Sequence, residues 1–420
     1  MLTSRRFFSG IVLFFFTLVS SVYAQPSHKT TAVAWNSDGA RIAVASSDGR
    51  IRLISAVTGI TDTEFETVND SSAHGFTHLA WNPAGDRLAT VSLLDGIVRI
   101  WDATELSGIK LIAELSPLVI HDDIPLVSWS PTGEYLVGAP LGADGERQIY
   151  IWRVIGDTFE LLTNLPSGAP YNVIWSDDGT TMIISDTRFL SIAQESEDGF
   201  VHTLNFSGFR PDIGLKSDNR TLAAIFRAFT VVNPPPEEND IELYDITSGE
   251  VLYTIDNPPD RDLSSVNWLP GDYLIADAFD GGALIWNAQT GELVNELVLP
   301  REGGRWLMAV SPFGGRVAFG NAAPDGELRT EGRPLSPGIE VLAGGYVLMA
   351  VPLATEEALR GVLGRCAMEP RSADALAAKI DPDAMPAFIA EVEALPPDAM
   401  IPACKADVLA VARAMTAEPK

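Results

Sequence analysis

Ala34-Trp35-Asn36-Ser37-Asp38-Gly39 and Ala80-Trp81-Asn82-Pro83-Ala84-Gly85 are two copies of one phrase: a small apolar residue, Trp, a polar turn, then Gly. The phrase returns as Ser128-Trp129-Ser130-Pro131-Thr132-Gly133 and as Ile174-Trp175-Ser176-Asp177-Asp178-Gly179. Weaker copies are Gly214-Leu215-Lys216-Ser217-Asp218-Asn219, Asn267-Trp268-Leu269-Pro270-Gly271 and Ala309-Val310-Ser311-Pro312-Phe313-Gly314. From Trp35 through Trp81, Trp129, Trp175, Leu215 and Trp268 to Val310 the steps are 46, 48, 46, 40, 53 and 42 residues.

A period in the forties, made of short strands and Gly-closed turns, predicts a β-propeller with one four-stranded antiparallel blade per repeat. Such a unit hides its apolar faces only against its neighbours, so seven copies predict an all-β, seven-bladed ring over residues 25–352. In blade one the pattern predicts strands over Thr31–Asn36, Arg41–Ser46 and Arg50–Ser55, with a turn at Asp48-Gly49. Third strands close on Trp101-Asp102, Trp152-Arg153, Tyr244-Asp245 and Trp286-Asn287. Their alternating large apolar residues suit a strand packed between blades. Asp48-Gly49, Asp95-Gly96, Asp144-Gly145, Asp198-Gly199 and Asp280-Gly281 are expected just before these third strands, where Asp-Gly supplies the positive φ of a tight hairpin.

These residues resemble the WD-repeat family of β-propellers, over residues 30–352, about three quarters of the chain. The resemblance rests on the Trp-x-Pro-x-Gly-like phrase, the Asp-Gly turns and the Trp101-Asp102 pair. It makes Trp35, Trp81, Trp101, Asp102, Trp129, Trp152, Trp175, Trp268 and Trp286 structural residues. The chain also departs from the family pattern. No Gly-His pair opens a repeat, although His74 and His121 lie near that place. Blade five has Leu215 for Trp and Asn239-Asp240 for the Asp-Gly turn, and blade seven carries an insertion around Gly320 to Pro337. The buried His–Ser–Asp–Trp network of the family is therefore expected to be incomplete. Val231 to Glu238, with three consecutive prolines, reads as a stiff surface loop.

The composition bounds the function. The 420 residues are 46% apolar, enough for one or two domains, and carry 29 basic against 56 acidic side chains for a formal charge of −27. Nucleic acid and anionic membrane surfaces are poor partners for such a chain. The acidity itself reads as solubility of an exported protein. Residues 1–24 read as an export signal: Arg5-Arg6, the apolar run Ile11 to Val19, and Val22-Tyr23-Ala24 before Gln25. The run is short for a bilayer span, so cleavage is expected rather than a retained anchor. Ser4-Arg5-Arg6-Phe7-Phe8 resembles a twin-arginine signal, but Phe14 to Phe16 make the run greasier than that route needs, which favours general secretion.

After Pro352 the composition turns to Ala, Leu, Met and Glu, and a helical domain of three or four helices is expected over residues 353–420. Leu359, Val362, Leu363 and Cys366 recur at helical spacing, as do Phe388, Val392 and Leu395, and Cys404, Val408, Val411 and Met415. Thr355 and Ser372 are candidate N-caps and Pro396-Pro397 a breaker. Cys366 and Cys404 are the two cysteines, and an oxidising compartment makes them a disulfide; the alternative is two buried thiols.

No His-Glu-x-x-His, Gly-x-Ser-x-Gly, phosphate loop or paired-cysteine zinc pattern occurs, and no cofactor or metal is implied. The five histidines are scattered; the one local cluster, His121-Asp122-Asp123, falls on a propeller face, where His121 reads first as a structural histidine. The acidic loop Asp256 to Asp262, with its prolines and Arg261, fits no calcium-loop spacing.

The segments entering the inner strands share one face, which WD-repeat proteins commonly use to grip partners. There blades five to seven carry Phe209-Arg210, Arg261, Arg301, Arg305 and Trp306. Arg and aromatic residues dominate binding hot spots, so these, with His121 and Asp122, are the expected partner contacts, for an acidic peptide or carboxylate. The competing reading pairs the arginines locally with Asp260, Asp262 and Glu302. The expected function is an exported, non-catalytic protein or peptide scaffold, monomeric outside its complex. The alternatives are an exported hydrolase or lactonase with its site at the channel mouth, and an envelope-complex subunit docking through its helical tail.

Overall fold

The computed structural model describes residues 28–66, 77–92, 95–115, 126–139, 148–167, 170–186, 189–197, 199–207, 212–225, 240–259, 261–279, 281–299, 306–321, 339–342, 347–366, 370–396 and 398–416. Seven four-stranded antiparallel sheets form the blades of a ring, followed by helices. The inner strands are Thr30–Trp35, Thr77–Trp81, Val127–Trp129, Pro170–Trp175, Ile213–Leu215, Leu263–Leu269 and Trp306–Val310. Each lies beside the next, and the first packs against the seventh, which closes the circle. The expected seven-bladed all-β fold is the observed one.

The repeated phrase acts at one place in every blade. Trp35 stands opposite Ile42, Trp81 opposite Leu88, Trp129 opposite Leu136, Trp175 opposite Met182 and Trp268 opposite Leu274. Leu215 and Val310 take the same register against Leu222 and Val317, so the weaker copies are true repeats. The turn that follows needs a left-handed residue: Gly39, Gly85, Gly133, Gly179, Gly271 and Gly314 have φ between 67° and 82°. Blade five uses Asn219 at φ 56°, the residue type that tolerates this conformation best after Gly.

Seven buried apolar clusters fill the seven junctions between blades. Ile42, Leu88, Leu136, Met182, Leu222, Leu274 and Val317, one per second strand, are all fully buried. Removing each such side chain from water stabilises the ring by roughly 1.5–3 kcal/mol. No blade could keep that gain alone, since each is covered by its two neighbours.

Sequence reading missed one recurring feature. In the six blades where the third and fourth strands pair in order, the register slips by one residue at the third-strand position that carries Trp101, Trp152 or Trp286, or its stand-in. A bulge there bends the outer strand and raises its twist, which fits wide outer edges to a circle. Gly199 is also placed differently from expectation: it opens the fourth strand, Gly199–Ser207, rather than a turn before the third, because the second strand already ends at Asp186 and the third is Phe189–Ser196. Asp144-Gly145, Asp198, Asp280 and Asn239 fall outside the described residues. Blade seven has a reversed outer half: its outermost strand, Glu340–Val341, precedes its third strand, Val347–Ala350. The outermost strand thus comes early in the chain, and the third strand leads out of the ring.

One third-strand Trp makes a buried side-chain hydrogen bond, while His74 and His121 lie outside the described residues. The Trp101 Nε1–H donates to Thr90 Oγ1 at 3.0 Å inside blade two, whereas the buried Trp286 N–H has no partner among the described residues. Thr90→Val keeps the shape and orphans the Trp101 N–H, so it should cost about 1–3 kcal/mol in thermal or urea unfolding. A loss below 0.5 kcal/mol would mean that this bond contributes little.

The chain then forms α1 (Glu356–Arg365), α2 (Pro370–Ala377), α3 (Met385–Ala394) and α4 (Pro402–Thr416). Thr355 caps α1 as expected, its Oγ1 accepting from the Ala358 N–H at 3.1 Å. Ser372 is not a cap: α2 starts two residues earlier, at Pro370, whose fixed φ suits a first helical turn. Cys366 and Cys404 are bridged, with Cα atoms 5.9 Å apart, so the buried-thiol alternative is set aside. The helices have no separate core. Leu359, Val362, Leu363, Phe388 and Val408 share one cluster with Leu269, Tyr273, Phe313, Val317 and Phe319 of blades six and seven. Among the described residues no helix is long and apolar enough to cross a membrane.

Candidate functional site

Strand direction gives the ring two faces. The entries to the inner strands and the turns between second and third strands lie on one, here the entry face. The Trp-turn-Gly turns lie on the other, the turn face, and there the helices dock. Gly361 of α1 sits against Pro270 with no room for a Cβ, and Tyr273 Oη donates to Glu357 Oε2 at 2.7 Å. The firmest contact is buried. Asp407 of α4, fully buried, accepts from Ser311 Oγ, from the Gly315 N–H at 3.0 Å and from Arg316 Nε. Arg316 also donates to the Ala56 carbonyl and lies over the Trp35 ring at 5.2 Å, so one pair ties α4 to blades seven and one.

Neighbouring turns are joined across the turn face by the polar residues of the phrase. Asn36 Nδ2 donates to the Gly85 carbonyl at 2.9 Å, linking blades one and two. The Asp177 N–H donates to Asn219 Oδ1 at 2.8 Å and Asn219 Nδ2 returns to Asp177 Oδ2 at 3.2 Å, linking four and five. Lys216 Nζ pairs with Asp272 at 2.7 Å, linking five and six, and this bond holds the Asp272 carboxyl below its usual range.

The central channel opens beside these turns into a cavity of about 740 Å³, walled by the inner strands of blades four to seven. Asp212 stands at its entry end. It accepts from Asn172 Nδ2 at 2.5 Å, from its neighbour Ile213 N–H at 2.8 Å and from the Val266 N–H at 3.3 Å, which stitches blades four, five and six together. At the turn end the last residue of α1, Arg365, reaches over the mouth. Burial lowers the pKa of this guanidinium, and Asp177 is the charge that partly offsets the effect.

The expected partner contacts divide as follows. Phe209, Arg210, Arg301, Arg305, His121 and Asp122 lie outside the described residues. Arg261 is on the entry face but only 11% of its side chain is exposed, and it pairs with Glu296 on the outer strand of its own blade. Trp306 is 2% exposed and belongs to the core shared with the helices. The entry face instead presents three aromatics that sequence reading missed: Tyr171, Phe189 and Phe279, 36%, 40% and 37% exposed. Each sits at the very start of a strand or just after one, where the alternation that buries blade residues no longer holds. That position was the available signal. The eight tryptophans named from the sequence are at most 9% exposed, and Asp102 Oδ1 accepts from the Thr104 N–H at 3.0 Å at the end of its strand.

Residues 16–73 match the family model of the anaphase-promoting complex subunit 4 WD40 domain, and residues 65–102 match that of the WD domain, G-beta repeat. No curated protein matches the chain.

Proposed function

This chain belongs to the WD-repeat propellers, and we propose that it is an exported, non-catalytic scaffold that grips a protein or peptide partner on its entry face. WD40 domains generally mediate protein interactions, and that carries the coarse reading. The observation that carries the finer one is the presence of Tyr171, Phe189 and Phe279 on a single face of an otherwise strongly acidic molecule. Exposed aromatics on one face have the composition of a hot-spot patch, and Phe209, Arg210, Arg301 and Arg305 are the sequence's expected contacts for it. The carboxylate best placed in the channel for chemistry, Asp212, has its lone pairs engaged by three protein donors, which supports a structural use for it. Export is supported by the composition of residues 1–24 and by the Cys366–Cys404 bridge, since disulfides persist in oxidising compartments. The net charge of −27 supports a monomer outside its complex and a partner that is not nucleic acid.

One experiment tests the set. Affinity-purified from its native host, the chain should begin at Gln25 and bring down a stoichiometric partner. Arg210→Glu with Arg305→Glu, or Phe189→Ala with Phe279→Ala, should cut that capture by at least about ten-fold, as loss of hot-spot residues does. Undiminished capture by both double variants would remove the entry face from the reading. An unprocessed N-terminus would remove cleavage.

A further inference from the structure

We propose that the turn-side mouth of the central channel binds a small organic monocarboxylate, anchored by the Arg365 guanidinium. The cavity of about 740 Å³ falls within the range of small-molecule sites, roughly 300–1,000 Å³. It lies on the face opposite the proposed partner patch, so it is a second site rather than part of the first.

The cations around it are not equivalent. Lys216 is committed to Asp272 at 2.7 Å. Arg365 makes no hydrogen bond or ion pair among the described residues, although it is half-buried beside Gly314 and Pro312. A partly desolvated guanidinium with five donors and no acceptor costs stability. Proteins keep such groups where a ligand supplies the missing partner.

The surroundings select the ligand. A guanidinium presents a planar fork that matches one carboxylate through two parallel hydrogen bonds. Asp177 stands near enough to attract Arg365 without touching it, and Asp212 lies deeper in the same cavity. Two fixed negative charges repel a dianion such as phosphate far more than a single carboxylate. Beyond the charge, Asn267 lines the wall with a side chain that makes no hydrogen bond among the described residues, and Met308 gives an apolar surface. The fitting ligand therefore has one carboxylate, a short apolar spacer and an amide or hydroxyl. The anchor is preorganised: Arg365 directly precedes Cys366, which is bridged to α4, and α4 is held to the ring by Asp407. A rigid supporting shell of this kind is what a binding group needs.

The test titrates the full chain with N-acetylglycine, followed by calorimetry and ligand-observed NMR, with N-acetylglycinamide and inorganic phosphate as comparators. Saturable binding of N-acetylglycine is expected, with both comparators at least about ten-fold weaker, the loss that one charge-assisted pair explains. Arg365→Gln should abolish binding and melt no lower than the wild type, because it removes an unpaired buried charge; Asn267→Leu should weaken binding. Absence of saturable binding, tighter binding of phosphate or the amide, or unchanged binding by Arg365→Gln would overturn the proposal. So would loss of the fold in Arg365→Gln, which would make Arg365 structural.

Discussion

Asp407→Ala is expected to lower the unfolding free energy by about 3–5 kcal/mol and to free the helices from the ring, because it leaves Arg316 buried without its counter-charge. The side chains of Arg316 and Asp407 are 7% and 0% exposed, so water cannot replace the lost partner. The Gly315 N–H and Ser311 Oγ lose their acceptor at the same time. Urea unfolding gives the magnitude, and hydrogen exchange over Glu356–Thr416 gives the place, since protection should fall in α1 and α4 first. Replacing the pair together, Arg316→Met with Asp407→Leu, should be much milder, because no charge is then stranded. By contrast, the exposed Lys379–Glu391 pair should contribute under about 1 kcal/mol. If Asp407→Ala cost no more than that surface pair, the lock between α4 and the ring would not exist.

Removing the Cys366–Cys404 bridge, by reduction or by Cys366→Ser with Cys404→Ser, should cost about 4 kcal/mol, the chain entropy released when a 38-residue loop opens. The helices share their core with blades six and seven, so the loss should spread from α1 and α4 into Leu269, Tyr273 and Phe313 rather than stay within the appendage. Blades two to five bury their side chains against one another and should keep their protection. Hydrogen exchange with and without reductant separates the two regions. Equal denaturation midpoints for oxidised and reduced chains would show that packing, not the crosslink, holds the helices.

The ring was legible because its cause is local and repeated. A Trp at the end of the inner strand and a left-handed residue closing the next turn are each imposed by backbone geometry. That is why even Leu215 with Asn219, a blade without the Trp or the Gly, could be recognised by position. Helix α1 was legible for the same reason, with Thr355 before an acidic first turn and an apolar stripe after it. Ser372 misled because a serine two residues inside a helix carries the same short-range signature as a cap, and only the placement of Pro370 separates them.

The candidate sites were legible only in part. Arg261 and Trp306 have the residue types of a binding patch, but one finds Glu296 on its own blade and the other is buried in the cluster that blades six and seven share with the helices. Neither outcome depends on neighbours in sequence.

Length, period, turn chemistry and the apolar stripes of the helices were thus settled by residues close together in the chain, where sterics and hydrogen bonding act over a few positions. The reversed outer half of blade seven, the seat of Asp407 on Arg316, and the arrival of Arg365 over the channel join residues far apart in the chain. They were decided by the three-dimensional packing alone, because which buried charge finds a partner, and which is left facing a cavity, depends on how the closed ring and the returning helices share one core.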